Sequence, residues 1–457
     1  MSRVHPRTDA SIWSPEYVWV TIGAVALIFL AAMQALAVTT VMPVVSADLD
    51  GDALYAVAFA GTLATSVIGM VAAGAWSDRS GPRGPLYVSV ALFVIGLVIA
   101  GLATTMPMLV VGRLVQGLGT GGQTVALYVV VARVYPPATH GRVFAAFSAA
   151  WVVPSLIGPF LAGAVAEYLH WRWVFLGVAV LTAVAFAMVA LRLHHTPLHT
   201  DEPSEGGRRA VAARLACAVA LALGALGLSL AGEAAGWAPG VVAASVVVIA
   251  LAARPLLPRR TLLSGRGLPS VILMRGLIAG ALFGAEIYVP YLLIADYDFS
   301  PTWAGLGLTA AALLWAASAY VQGRFGDRIG NRRITLIGTT LLLSAVLSAA
   351  ATAAWHLSPV VLIAGWALAG AGMGLMYPRL TVLTLAYSTP QNQGFNSSAL
   401  SISDAIGASA AIAAMGLTFV ALAGTSAAFP AVFAVAAALA LAGLIPGLRL
   451  GHASERR

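Results

Sequence analysis

The sequence predicts an all-α integral membrane protein: two six-helix bundles with two additional transmembrane helices between them. Three observations predict it. Of 457 residues, 60% are hydrophobic and only 9% are charged. A soluble domain carries roughly 25% charged residues, so 25 basic and 17 acidic side chains cannot cover a water-exposed particle of this length. Apolar runs of about 20 residues, the length of a membrane span, follow one another along the chain. Finally, a segment of the first half recurs in the second. Soluble enzymes, nucleic-acid binders and disordered chains are excluded on composition alone.

The first six runs cover about 17–45, 53–75, 85–104, 107–134, 143–166 and 172–193. A polar stretch from His194 to Arg209 follows. Two further runs, about 211–231 and 239–257, are separated by Gly232, Glu233 and a turn from Gly236 to Gly240. The last six cover about 271–294, 303–323, 334–354, 358–386, 396–421 and 427–448. The chain therefore divides into a first bundle (1–193), a cytoplasmic linker with two extra helices (194–270) and a second bundle (271–457). Fourteen spans are expected; the alternative has twelve, with a central run lying on the lipid surface.

The formal net charge of +8 does not point to nucleic acid. Every basic residue is Arg, set in short stretches between apolar runs. With the N-terminus inside, Arg79, Arg83, Arg133, Arg142, Arg208, Arg209, Arg259, Arg260, Arg332 and Arg333 all fall on the inner side. Outer loops hold only Arg172, together with Asp48, Asp50, Asp52, Glu233, Asp296 and Asp298. This asymmetry places both termini in the cytoplasm of a cell (inner or plasma) membrane. No cleavable leader pattern precedes the first run. Cys217 is the only cysteine, so no disulfide or thiolate metal site is expected. His194, His195 and His199 have no acid at ligand spacing in a span, so no metal is expected. Without Lys no phosphate-binding GxxxxGK[ST] loop exists, which excludes ATP-driven pumping by this chain.

The repeat is legible in the letters. Gly74-Ala-Trp-Ser-Asp78-Arg79-Ser-Gly81-Pro-Arg83 recurs as Gly323-Arg-Phe-Gly-Asp327-Arg328-Ile-Gly330-Asn-Arg332, at an offset of 249 residues. Gly112, Gly117, Gly119 and Gly121 recur as Gly365, Gly370, Gly372 and Gly374 at an offset of 253, and Pro43 recurs as Pro290. Two parallel six-span halves account for this, and the two central spans belong to neither. Repeated bundles with a site between them are a common plan for secondary transporters.

The doubled GxxxDRxGxR loop resembles the signature of the major facilitator superfamily. Arg113-Leu-Val-Gln116-Gly117-Leu-Gly119 is similar to its RxxQGxG motif. Pro154-Ser-Leu-Ile-Gly158-Pro159-Phe-Leu-Ala-Gly163 resembles its Gly-Pro antiporter motif, and Trp171-Arg172-Trp173-Val-Phe175 resembles the WRWxF segment of drug–proton antiporters. Six plus two plus six spans resembles the 14-span branch. Gly74 and Gly323 permit close helix approach; Gly81 and Gly330 permit tight turns. Asp78 and Asp327 can cap a helix N-terminus and pair with loop arginines. The resemblance implies a conformational latch, in which Asp78 faces the start of the second bundle's fifth span and Asp327 that of the first. Arg79, Arg83, Arg328 and Arg332 belong to it; a plain topology anchor is the alternative for Arg83 and Arg332. Pro159 is expected to bend its span, and Gly158 and Gly163 to clear space for a neighbouring helix. Ordinary small-residue packing is the alternative.

Ionisable groups within spans are costly and mark functional positions. Glu286 lies about 15 residues into its run, near Pro290, with no basic residue near in sequence. Such a carboxyl is carried most cheaply in its protonated form, which suits a proton carrier or a counter-charge; a structural acid bonded across helices is the alternative. Arg113, by resemblance, modulates a nearby acid in proton coupling. Gln34 stands where the branch commonly has Asp, which leaves Glu286 to carry the proton. Asp404 either takes part in proton or substrate binding or caps local backbone. By resemblance the substrate cavity draws on Gln34, Gln123, Tyr128, Trp151, Tyr288, Tyr291, Trp315, Trp366 and Tyr377, whose aromatic faces suit hydrophobic or cationic ligands. Trp366 occupies the repeat position of Arg113.

The expected function is proton-coupled export of small amphipathic, drug-like compounds by alternating access. The proton gradient is the energy source and no cofactor is needed; the partners are the substrate, protons and the bilayer, and one chain suffices. The rival readings are nutrient uptake by proton symport and lipid or glycolipid export.

Overall fold

A computed structural model describes residues 11–50, 54–193, 207–230, 238–299, 308–422 and 424–450. Its α-helices are α1 (Val18–Asp48), α2 (Tyr55–Ser80), α3 (Arg83–Gly101), α4 (Met106–Val134), α5 (His140–Ala149), α6 (Val152–Tyr168), α7 (Arg172–Leu193) and α8 (Arg208–Leu230). They continue with α9 (Ala238–Ala253), α10 (Leu268–Glu286), α11 (Tyr288–Tyr297), α12 (Thr309–Ile329), α13 (Asn331–Trp355), α14 (Pro359–Ala386), α15 (Gln393–Ala421) and α16 (Ala428–Leu448). The histidines at 194, 195 and 199, the acids Asp52 and Glu233, and the Gly236 turn lie outside the described residues.

Twelve described segments are long and apolar enough to cross a membrane. Two more take the places of the remaining expected runs: α9, which is shorter, and α12, whose final turns carry Arg324, Asp327 and Arg328.

The chain forms two compact units. The first comprises Met1–Val143, Val153–Leu256 and Ser388–Ser398; the second comprises Phe144–Val152, Leu257–Tyr387 and Ala399–Arg457. In the first unit α4 packs on α2 and α3, α1 on α7, and α8 on α2, with α9 against α8. The two central helices therefore extend the first bundle. In the second unit α14 packs on α12 and α13, and α16 on α10 and α13.

The repeat has a physical basis at helix ends and seams. Thr105 caps α4 by accepting from the Met108 amide, and Ser358 caps α14 by accepting from Val360. Each is followed within two residues by a Pro that has no amide to leave unpaired. Gly81 and Gly330 end α2 and α12 with φ of +79° and +88°, a backbone region that side chains disfavour. A Cβ on Gly121 would fall onto the Ser66 carbonyl, and one on Gly374 onto the Trp315 carbonyl. In lipid no hydrophobic force draws helices together, so such close seams supply the packing.

Two spans are interrupted. The span expected over 143–166 breaks between α5 and α6 at Ala150 and Trp151. Pro154 has no N–H for the Ala150 carbonyl four residues before it, which accounts for the position. Gly158 and Pro159 themselves lie inside α6, which continues as helix on both sides of them. The span expected over 271–294 breaks at Ile287, between α10 and α11. Pro290 likewise deprives the Glu286 carbonyl of its intrahelical donor.

Candidate transport site

In the second unit α10 enters with Pro269 in its first turn and carries Arg275 about two turns in. Beside it, α10 crosses α15 with almost no side chain between. A Cβ on Gly407 would fall onto the Gly276 carbonyl, and the Ser403 hydroxyl donates to the Ile272 carbonyl at 2.7 Å. The crossing sets Arg275 opposite Asp404. Arg275 Nε donates to Asp404 Oδ1 at 2.9 Å, the two side chains being 4% and 25% exposed. Arg275 Nη1 donates to the Tyr377 carbonyl at 2.9 Å and the Thr381 hydroxyl at 3.2 Å. The guanidinium lies over the Tyr377 ring, 3.1 Å from its centroid, and the Tyr377 hydroxyl donates to Asp404 Oδ1 at 2.6 Å. Trp315 meets the Tyr377 ring edge-on at 5.4 Å.

Glu286 ends α10 at the break. It is half-buried, and among the described residues its carboxylate has no hydrogen-bonding or ionic partner. Just beyond it, the rings of Tyr288 and Tyr291 each meet Phe419 at 5.3 Å, tilted by 42° and 50°.

In the first unit Arg113 is buried. Its Nη1 donates to Gln116 Oε1 at 2.7 Å and its Nε to the Ala58 carbonyl at 3.3 Å. Among the described residues no acid pairs with it. Gln123 donates to the Leu27 carbonyl at 3.1 Å. Gln34 is fully buried, and neither polar atom of its amide finds a described partner.

The two repeated loops differ in use. Buried Asp78 accepts from the amides of Gly394 at 2.6 Å and Phe395 at 2.9 Å. Nearby, Arg133 donates to the carbonyls of Ser77 and Pro390. Asp327 instead accepts from Arg379 Nη1 at 2.7 Å, its side chain 74% exposed. Arg379 Nε also donates to Asn331 Oδ1.

The family model described as Major Facilitator Superfamily matches residues 24–285 and 271–456. The chain belongs to the major facilitator superfamily. This is a family of membrane transporters, not enzymes. An uncharacterized MFS-type transporter of Mycobacterium tuberculosis is 28% identical over 411 residues, which is 86% of this chain; this chain spans only 58% of that relative's length. Multidrug resistance protein 3 of Bacillus subtilis is 23% identical over 331 residues, 70% of this chain and 63% of its own. The MFS efflux transporter aclA of Aspergillus oryzae is 34% identical over 179 residues, 39% of this chain and 32% of its own. Among solved structures, the proton:xylose symporter XylE has a TM-score of 0.67 at 14% identity, covering 94% of this chain and 95% of its own. The human organic anion transporter MFSD10 (TETRAN) has a TM-score of 0.67 at 17% identity, covering 94% and 99%. These two likenesses show the fold.

Of the residues singled out in this superfamily member, Asp404, Tyr377 and Trp315 come together, and Glu286 stands by itself at a helix break. Trp366, expected to line a cavity, is fully buried in the core of the second unit, so it presents no open face. Trp151 and Tyr291 are each 47% exposed, and Tyr128 is half-buried in α4. A Cβ on Gly158 would stand 3.3 Å from Met33 Sδ, whereas one on Gly163 would meet no described atom within 4 Å. The sequence reading missed Arg275. It is the one basic residue in the apolar run over 271–294, and that isolation was the available signal.

Proposed function

We propose that this chain is a proton-coupled exporter of small amphipathic compounds, working by alternating access in the cell membrane with both termini in the cytoplasm. The observation that carries the reading is Glu286: a carboxyl inside a span, at a proline-induced break, with no described partner for its charge. A charge at such a position is costly, so the group suits a proton that comes and goes. The relatives named for efflux and multidrug resistance favour export over uptake. In this reading the Asp78–Gly394 contact is the latch, and the doubled six-span plan lets one chain form the whole path.

A proton crossing one pH unit releases about 1.4 kcal/mol, enough for about tenfold accumulation of a neutral solute. The test is ethidium movement in proteoliposomes with an imposed pH gradient. The wild type is expected to move ethidium faster when the gradient is present. Glu286→Gln is expected to lose that acceleration while keeping downhill exchange. Equal acceleration in the variant overturns the assignment.

A further inference from the structure

We infer that Arg275 is a positioning residue of the transport site: it holds the Asp404 carboxylate and the Tyr377 hydroxyl in one fixed arrangement across α10, α14 and α15.

Three features of the geometry carry this. First, the guanidinium is anchored independently of Asp404. Its Nη1 is held by the Tyr377 carbonyl and the Thr381 hydroxyl on α14, so the Nε–H stays aimed at Asp404 whatever that carboxylate does. Second, the guanidinium carbon sits over the Tyr377 ring, 3.1 Å from its centroid, which holds the phenol in place with its hydroxyl directed at the same carboxylate. Third, the Gly276–Gly407 approach and the Ser403–Ile272 bond lock the register of α10 on α15 beside the cluster. The result is asymmetric: Arg275 is almost fully enclosed, while a quarter of the Asp404 side chain stays accessible. The enclosed residue orients and the accessible one meets the solute. A lysine would keep the charge, but its single nitrogen cannot reproduce the planar fork that spans Asp404, Tyr377 and Thr381.

The test pairs a chemical readout with a transport readout in the full-length protein. Labelling of Asp404 by dicyclohexylcarbodiimide, followed by peptide mass spectrometry, reports how well its oxygens are covered and needs no transport. Arg275→Lys is expected to raise the labelling rate roughly tenfold, as for the loss of one charge-assisted hydrogen bond. The same variant is expected to raise KM for ethidium with kcat little changed; this arm rests on the export reading. Tyr377→Phe, which removes only a hydroxyl, should move both readouts in the same direction and is the check if the lysine variant folds poorly. Wild-type labelling in either folded variant overturns the inference, because charge alone would then suffice. An unchanged KM with raised labelling overturns the link to transport. If the wild type moves no ethidium, the export reading fails and the labelling result still decides the role of Arg275.

Discussion

Asp78 and Gly394 stand 316 residues apart in the chain, yet the Asp78 carboxylate accepts the Gly394 amide proton at 2.6 Å. It also takes the next amide, that of Phe395. Both amides belong to the first turn of α15, where no carbonyl within the helix is available to them, and a negative charge there meets the positive end of the helix dipole. Close approach requires glycine: a Cβ on Gly74 would stand 2.6 Å from the Gly394 carbonyl oxygen. Asp327 has the same sequence context, but its exposed carboxylate answers to a cation, the buried Arg379.

The two aspartates should therefore respond differently to the same change. Asp78→Asn keeps the shape but loses the charge and one acceptor. Loss of a helix cap costs about 0.5–2 kcal/mol, so the unfolding temperature of the purified protein should drop measurably. Asp327→Asn keeps an acceptor facing Arg379, which Asn331 also holds, and changes a side chain that is 74% exposed, so it should shift the unfolding temperature less. Equal shifts would show that the doubly bonded, buried cap contributes no more than the half-exposed ion pair.

Glycines that look alike in the sequence should also separate. Gly407→Ala forces a methyl group onto the Gly276 backbone, and overpacking of this kind costs about 1–3 kcal/mol. Gly163→Ala enters open space within α6 and should be neutral or stabilising by up to about 1 kcal/mol, the helix-propensity difference. Thermal unfolding of the two variants side by side decides this; a destabilised Gly163→Ala would contradict the open space around it.

The fold was legible because its determinants are local and repeated. Span lengths follow from runs of apolar residues, and the paired glycines Gly112 and Gly365, or the paired turns Gly81 and Gly330, repeat at fixed offsets. The site was less legible because its determinants are contacts. Asp404 stood out as a charge in a span, but its partner Arg275 has no counterpart at the equivalent position of the first half, where Ile28 stands. The repeat therefore drew no attention to it. Arg379 falls within the run expected over 358–386, but only the packing of α14 shows that it turns toward Asp327 and Asn331. The two breaks show the same limit. Each proline was visible, but the break lies three or four residues upstream, where the deprived carbonyl is.

That displacement gives a test of the break at Glu286. Pro290→Ala supplies an N–H to the Glu286 carbonyl and removes the ring that clashes with it. Alanine is favoured over proline in a helix interior by about 3 kcal/mol, so α10 and α11 should merge into one continuous helix. The amide of the substituted residue should then be protected in hydrogen exchange, and the unfolding temperature should rise. Straightening the helix also re-aims Glu286, so gradient-driven ethidium transport should fall even as stability rises. Rapid exchange at the new amide would mean that packing against Phe419 and Phe429, not the missing N–H, holds the break open.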